Sequence, residues 1–186
     1  MIIALIVVAV LVALVGFVIV GFNKLRTTDI GAQEALGGID VQLTRRADLI
    51  PNLVETVKGY AAHERGVFEE VTAARAGVVA AAQGEDPEAK AAADQALRQA
   101  LVKVNAVAEA YPDLQANQSF LDLQQQLADT ENQISFARQY YNDAVATLNK
   151  LTATIPWMFL TGIAGVRARK FYDAPDGQEA APQVRF

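Results

Sequence analysis

From Met1 to Phe22 the chain reads MIIALIVVAVLVALVGFVIVGF, an apolar run with no charged side chain. At about 1.5 Å per residue, a helix of that length reaches roughly 33 Å, enough to cross a bilayer core. A cleaved signal peptide would want a basic n-region, a shorter apolar run and a small-residue cleavage site, and none is clear here. A buried core helix seldom stays apolar on every side for so long. The pattern therefore predicts an uncleaved transmembrane helix over residues 1–22. Lys24 and Arg26 follow it at once, whereas only the α-amine precedes it. The positive-inside rule then places the N-terminus outside and residues 23–186 in the cytoplasm of a single-pass protein.

Past the span the apolar period changes. Ile39, Leu43, Ile50, Leu53, Val57, Tyr60, Val67, Val71 and Val78 recur at alternating spacings of three and four, with Arg46, Glu64 and Ala74 on the missing beats. This heptad-like stripe predicts one long helix packed on others, its start loosened by Gly37 and Gly38. Pro51 lies within it and keeps the stripe in phase on both sides, so the reading is a single helix kinked at Pro51 rather than a break. The segment GEDPEAK reads as a turn and a helix start, with Asp86 as cap and Pro87 at the first helical position. A second stripe runs Ala93, Leu97, Ala100, Leu101, Val104, Val107 and Tyr111 and stops at Pro112. A third begins near Asp113 and carries Phe120, Leu127, Ile134, Tyr141, Val145, Leu148 and Ile155, with Glu131 and Arg138 on intermediate beats, and should end at Pro156. Trp157 to Tyr172 forms a short apolar element with a basic end, and residues 173–186 read as a flexible tail. No strand pattern survives. The fold class is all-α: an N-terminal transmembrane helix, then an antiparallel bundle of long helices over residues 23–172.

Composition agrees with this and narrows the chemistry. Of 186 residues 52% are hydrophobic, aromatics are few, and the net charge of −5 comes from interspersed acids and bases, which leaves no polybasic footprint for nucleic acid. The absence of cysteine removes disulfides, thiolate metal sites and a cysteine-linked lipid anchor. His63-Glu64 begins like a zinc-protease motif, but position 67 is Val and His63 is the only histidine. No P-loop, dinucleotide turn or serine elbow is present. The sequence predicts no catalytic, cofactor-binding or metal-binding residue.

Charged residues on the stripes need an account. Glu64 and Glu131 as an acid/base pair or di-metal site would want companions such as Glu-x-x-His that the chain lacks. The structural alternative pairs Glu64 and Glu131 with Arg46, Arg138 and Asn132 or Asn142 inside the bundle, since a buried charge is tolerable only when paired. Trp157, Phe159, Arg167, Arg169 and Lys170 are candidates for the membrane surface, as an amphipathic segment with an aromatic edge and a basic end. The competing reading has the same segment close the bundle.

Three stretches carry a family resemblance. RRADLIPNLVETVKGYAAHE, YPDLQANQSFLDLQQQLADTENQISFARQYYNDAV and the ending PQVRF resemble the signature of the LemA family of bacterial membrane proteins, in order and over nearly the whole chain. One departure is Leu148, where the family tends to have a tyrosine before the asparagine. The resemblance implies a single-pass protein of the bacterial inner membrane with a LemA-like four-helix bundle and no established enzymatic activity. A magnetosome branch of the family is associated with shaping or organising membranes. The expected function is a non-enzymatic scaffold whose partners are the lipid bilayer and further copies of itself, a homo-oligomer. The alternative is an adaptor or regulator of another membrane protein, a protease or sensor, acting as a small oligomer.

Overall fold

The computed structural model describes residues 1–172; the tail expected over 173–186 lies outside them. The described residues contain helices and no strand: α1 (Ile2–Lys58), α2 (Arg65–Ala82), α3 (Pro87–Glu109), the single turn α4 (Pro112–Gln115), α5 (Gln118–Ala153), a 3-10 turn at Trp157–Leu160, and α6 (Thr161–Ala164). They form two compact units. One comprises Met1–Ala35 with Tyr140–Lys170, the other Leu36–Gln139 with Phe171 and Tyr172.

The second unit is a helical bundle. Arg75 of α2 reaches Ala47 of α1, and Lys103 of α3 pairs with Glu70 of α2. Arg98 and Asn105 of α3 meet Glu131 and Gln124 of α5. With the further contacts of Lys58 with Phe68 and of Lys90 with Ala81, residue numbers rise on one helix as they fall on the next in all three helix pairs, so neighbours in sequence run antiparallel. The α1–α3 pairs Asp40–Lys90 and Arg46–Asp94 rise together, so those two helices are parallel. This is an up-down-up-down bundle of α1, α2, α3 and α5 with short connections. Its core is built from the stripes: Ile39, Leu43, Ile50, Leu53 and Val57 of α1, Val71 and Val78 of α2, Leu97 and Val104 of α3, and Ile134 of α5 are all essentially inaccessible. At the other end of the bundle Asn117 Nδ2 donates to the Tyr60 hydroxyl at 3.0 Å, joining the α1–α2 and α3–α5 connections, and its Oδ1 accepts from Phe120 N to open α5.

Two sequence expectations change. The apolar span and the first bundle stripe are one helix, Ile2–Lys58, which passes Gly37 and Gly38 without a break. The stripe expected to continue to Val78 is interrupted: α1 stops at Lys58 and α2 starts at Arg65. Between them, Tyr60 N and Ala61 N both bond back to the Val57 carbonyl, Glu64 N bonds to that of Ala61, and buried Ala61 plugs the turn. The expected spacing runs through this turn unbroken in the sequence, yet the residues buried there are Ala61 and Phe68 rather than Tyr60, which is 40% exposed, and Val67. Phase alone does not certify a continuous helix.

Pro51 does lie inside α1. Lacking an N–H, it leaves the carbonyl of Ala47 without its helical donor, and Ala47 is fully buried. Arg75 Nε of α2 donates to that carbonyl at 2.8 Å. The neighbouring helix thus supplies the hydrogen bond that proline removes.

The same logic closes α2. Lys90 of α3 is 0% exposed. Its Nζ donates to the last-turn carbonyls of Ala81 and Ala82 at 3.2 Å and pairs with Asp40 of α1. A cation at a helix C-terminus is favoured by the helix dipole, and here it also serves carbonyls with no intrahelical partner.

The first unit packs the stripe Gly21, Leu25, Ala32 and Ala35 of α1, with the inward residues Tyr141, Val145 and Leu148 of α5. After α6, Gly165 takes the left-handed conformation (φ 63°) that turns the chain. Asn149 then grips Arg169 with both amide atoms, Nδ2 to the carbonyl and Oδ1 from the N–H, each at 2.9 Å. The Tyr141 hydroxyl donates to the Lys170 carbonyl at 2.8 Å, and Arg169 Nε meets Asp29 Oδ1 at 2.7 Å.

If Arg75 serves the carbonyl that Pro51 frees, Arg75→Ala should destabilise the protein by about 1–3 kcal/mol. Most of that loss should vanish in a Pro51→Ala background, where an N–H is restored. Denaturation of the four proteins in detergent gives the coupling; an equal loss in both backgrounds would refute the assignment.

Candidate functional site

The bundle unit is organised around one carboxylate. Asp94 of α3 is 0% exposed and holds three guanidinium groups. Arg46 Nη1 of α1 lies 2.9 Å from its Oδ1, Arg98 Nη2 lies 3.1 Å from its Oδ2, and Arg138 of α5 binds the same Oδ2. Glu131 of α5 completes the cluster, its Oε2 at 2.8 Å from Arg46 and its Oε1 at 3.2 Å from Arg98. Three cations and two carboxylates from three helices therefore interlock: both Asp94 oxygens and Glu131 Oε1 accept hydrogen bonds from guanidiniums, whereas Glu131 Oε2 is near Arg46 without hydrogen-bond alignment. Charge-assisted bonds of this kind make burial of the ions tolerable. As arranged, the cluster joins helices.

Arg138 also stands over the ring of buried Tyr172, 5.1 Å from its centroid. Burial, reinforced by the negative charge of Asp94, pushes the Tyr172 phenol up well above its ordinary value, against the opposing pull of Arg138 and Arg98. At Asp40 burial likewise raises the carboxyl above 3.8, outweighing the hydrogen bond and positive charge of Lys90.

The expected polar network is thus partly reassembled. Arg46, Glu131 and Arg138 come together, but about Asp94, which the stripe reading omitted. Glu64 sits half-buried in the α1–α2 turn as the residue preceding α2, outside the cluster. Asn132 points to solvent, one residue off the inward face that carries Glu131, and Asn142 belongs to the other unit. Asp94 and Lys90 were detectable. Stepping back from Leu97 by alternating three and four residues lands on Asp94, Lys90 and Pro87, all buried. Arg98, Asp40 and Arg75 left no comparable trace. Among the described residues no group of His, Asp or Glu is placed to hold a metal ion.

In the first unit the 3-10 turn is seated on α1. The Trp157 ring stacks on Phe17 (centroids 6.0 Å apart, planes 13° apart), and Lys24 Nζ lies 4.9 Å from the centre of the Trp157 ring. Phe17, Gly21 and Lys24 fall on one face of α1. A Cβ at Gly21 would come within 2.2 Å of Leu160 Cδ1 and 3.2 Å of Trp157, so glycine permits the close approach. Of the five surface candidates, Trp157 is half-buried in this contact, Phe159 and Arg167 are exposed, and Arg169 is engaged by Asp29. Lys170 is exposed, with its carbonyl held by Tyr141.

Residues of α1 reach a mean hydropathy of 3.5 over eighteen positions, and none of that window is buried. An all-α protein whose bundle helices are joined by ion pairs, and which carries an unburied apolar helix long enough to cross a bilayer, is by class a membrane-associated helical-bundle protein. A sequence model of the LemA family matches residues 35–186, and the chain belongs to that family. It is 27% identical to the magnetosome protein MamQ of Magnetospirillum gryphiswaldense, over 94% of this chain and 74% of that protein. The magnetosome proteins MamQ 1 and MamQ 2 of Paramagnetospirillum magneticum are each 29% identical over the same shares.

Asp94→Ala should lower stability by about 3–5 kcal/mol, because it strands buried guanidinium groups, whereas Asn132→Ala should stay within about 0.5 kcal/mol. Urea titration of both variants checks this. For Asp40 the sign is set by its raised carboxyl. A folded-state pKa above the unfolded one contributes stability that is complete below 3.8 and is lost as pH rises through the raised value. The stability difference between wild type and Asp40→Asn should therefore fall as pH rises from 3.8 upward; a flat or rising difference contradicts the shift.

Proposed function

We propose that this protein is a non-enzymatic, membrane-anchored scaffold that assembles with copies of itself and organises the bilayer that holds it. The observation carrying this reading is the ion cluster of the bundle, where Arg46, Asp94, Arg98, Glu131 and Arg138 pair with one another across three helices. Outward, α5 presents Phe136 and Tyr140 one turn apart, each 68% exposed, a spacing suited to contact between helices of neighbouring molecules. Similarity to magnetosome proteins supports a membrane-associated role by analogy. The span crosses the bacterial inner membrane once, with the N-terminus outside and the bundle in the cytoplasm, as the basic residues after Phe22 favour.

A second reading, an adaptor for another membrane protein, is favoured by one feature: a groove of about 710 Å³ beside α2, lined among others by Lys58, Arg65, Phe68 and Thr72. Full-length protein purified in detergent and imaged by electron microscopy separates the two. The scaffold predicts large regular assemblies that Phe136→Ser with Tyr140→Ser reduces to small species. A small, uniform wild-type particle would reject it in favour of the adaptor.

A further inference from the structure

Four large apolar side chains lie exposed around the 3-10 turn: Ile155 at 73%, Met158 at 43%, Phe159 at 69% and Ile163 at 66%. Such a patch within nine residues marks a contact surface rather than ordinary solvated protein. Its position identifies the partner. The turn is docked through Trp157 and Leu160 onto Phe17, Gly21 and Lys24 of α1. That is where the uncharged run of Met1–Phe22 ends and the first lysine appears. In a membrane, a tryptophan and a snorkelling lysine at the end of a span sit at the headgroup level. The exposed residues beside Trp157 are held at the same level.

We infer that Ile155, Met158, Phe159 and Ile163 form a wedge that inserts into the lipid leaflet where the Phe22 end of the span emerges. The wedge rests on the reading of α1 as a membrane span and adds a second, one-sided membrane contact to it. Its affinity comes from apolar burial, not charge. Arg169 is paired with Asp29, eight residues past Gly21 and so about 12 Å further along α1 from the apolar run. Arg169 is therefore not level with the wedge. Insertion should be independent of salt and of anionic lipid. Material placed in one leaflet only, beside a span that occupies both, expands that leaflet, which gives a membrane-organising protein a direct handle on curvature.

The chain offers clean probes, since it has one tryptophan, Trp157, and no cysteine. Full-length Phe159→Cys and, as a span control, Val10→Cys are labelled with an environment-sensitive fluorophore and reconstituted into phosphatidylcholine vesicles containing lipids brominated at shallow or deep acyl positions. The inference expects the label at 159 and Trp157 to be quenched most by shallow bromines, unchanged by high salt or by added phosphatidylglycerol, while the label at 10 is quenched by deep bromines. Quenching at 10 with a water-exposed, unquenched label at 159 overturns the wedge and keeps the span. A label at 159 that is shielded yet unquenched, and becomes exposed when the protein is diluted in lipid, assigns the patch to a second copy and also overturns it. No quenching at 10 rejects the span itself.

Discussion

A carboxylate with no access to water sets the terms for the bundle. Asp94 cannot be buried alone, because the desolvation of an isolated ion would exceed what a domain of this size has in reserve. Its three arginine partners come from α1, from the next turn of α3 and from α5. Helix register in this unit is therefore tied to charge: a shift of one helix by a turn would leave guanidiniums and a carboxylate stranded in the core. Apolar stripes tolerate such slips far better, since Leu and Val differ little from one position to the next. The cluster converts a generic bundle pattern into one specified packing.

The other polar groups of the core follow the same economy of partners. Pro51 deprives the Ala47 carbonyl of its donor, and Arg75 replaces it from the adjacent helix. The exposed carbonyls at the end of α2 are met by Lys90, whose charge is balanced by Asp40. In each case a long cationic side chain crosses between helices to serve a backbone carbonyl, so that local departures from ideal helix geometry become cross-links.

The membrane-associated unit has a different basis. There the controlling residue is the smallest, Gly21, whose missing Cβ lets Trp157 and Leu160 lie on α1. Asn149 and Tyr141 then fasten the following segment through its backbone, independent of which side chains that segment carries. The apolar residues left outside this fastening are the ones assigned to lipid.

Much of this was legible in the chain itself. The charge-free run to Phe22, the three stripes with their three-four spacing, the cap at Asp86 and the stops at Pro112 and Pro156 are local signals, and they define helices, span and class. Helical periodicity also marked Arg46, Glu131 and Arg138 as inward-facing ions. It misled at Gly59–Glu64, where the sequence spacing ran on through a turn, and at Glu64, where spacing could not say which neighbour a polar group meets. The partners themselves were decided by tertiary structure: Arg46 and Asp94 lie 48 residues apart, Arg75 and Ala47 28, Arg169 and Asp29 140. Periodicity reports which face of a helix turns inward because that depends on the backbone repeat alone. Which side chain waits opposite depends on the register between helices, and no single stretch of sequence contains it.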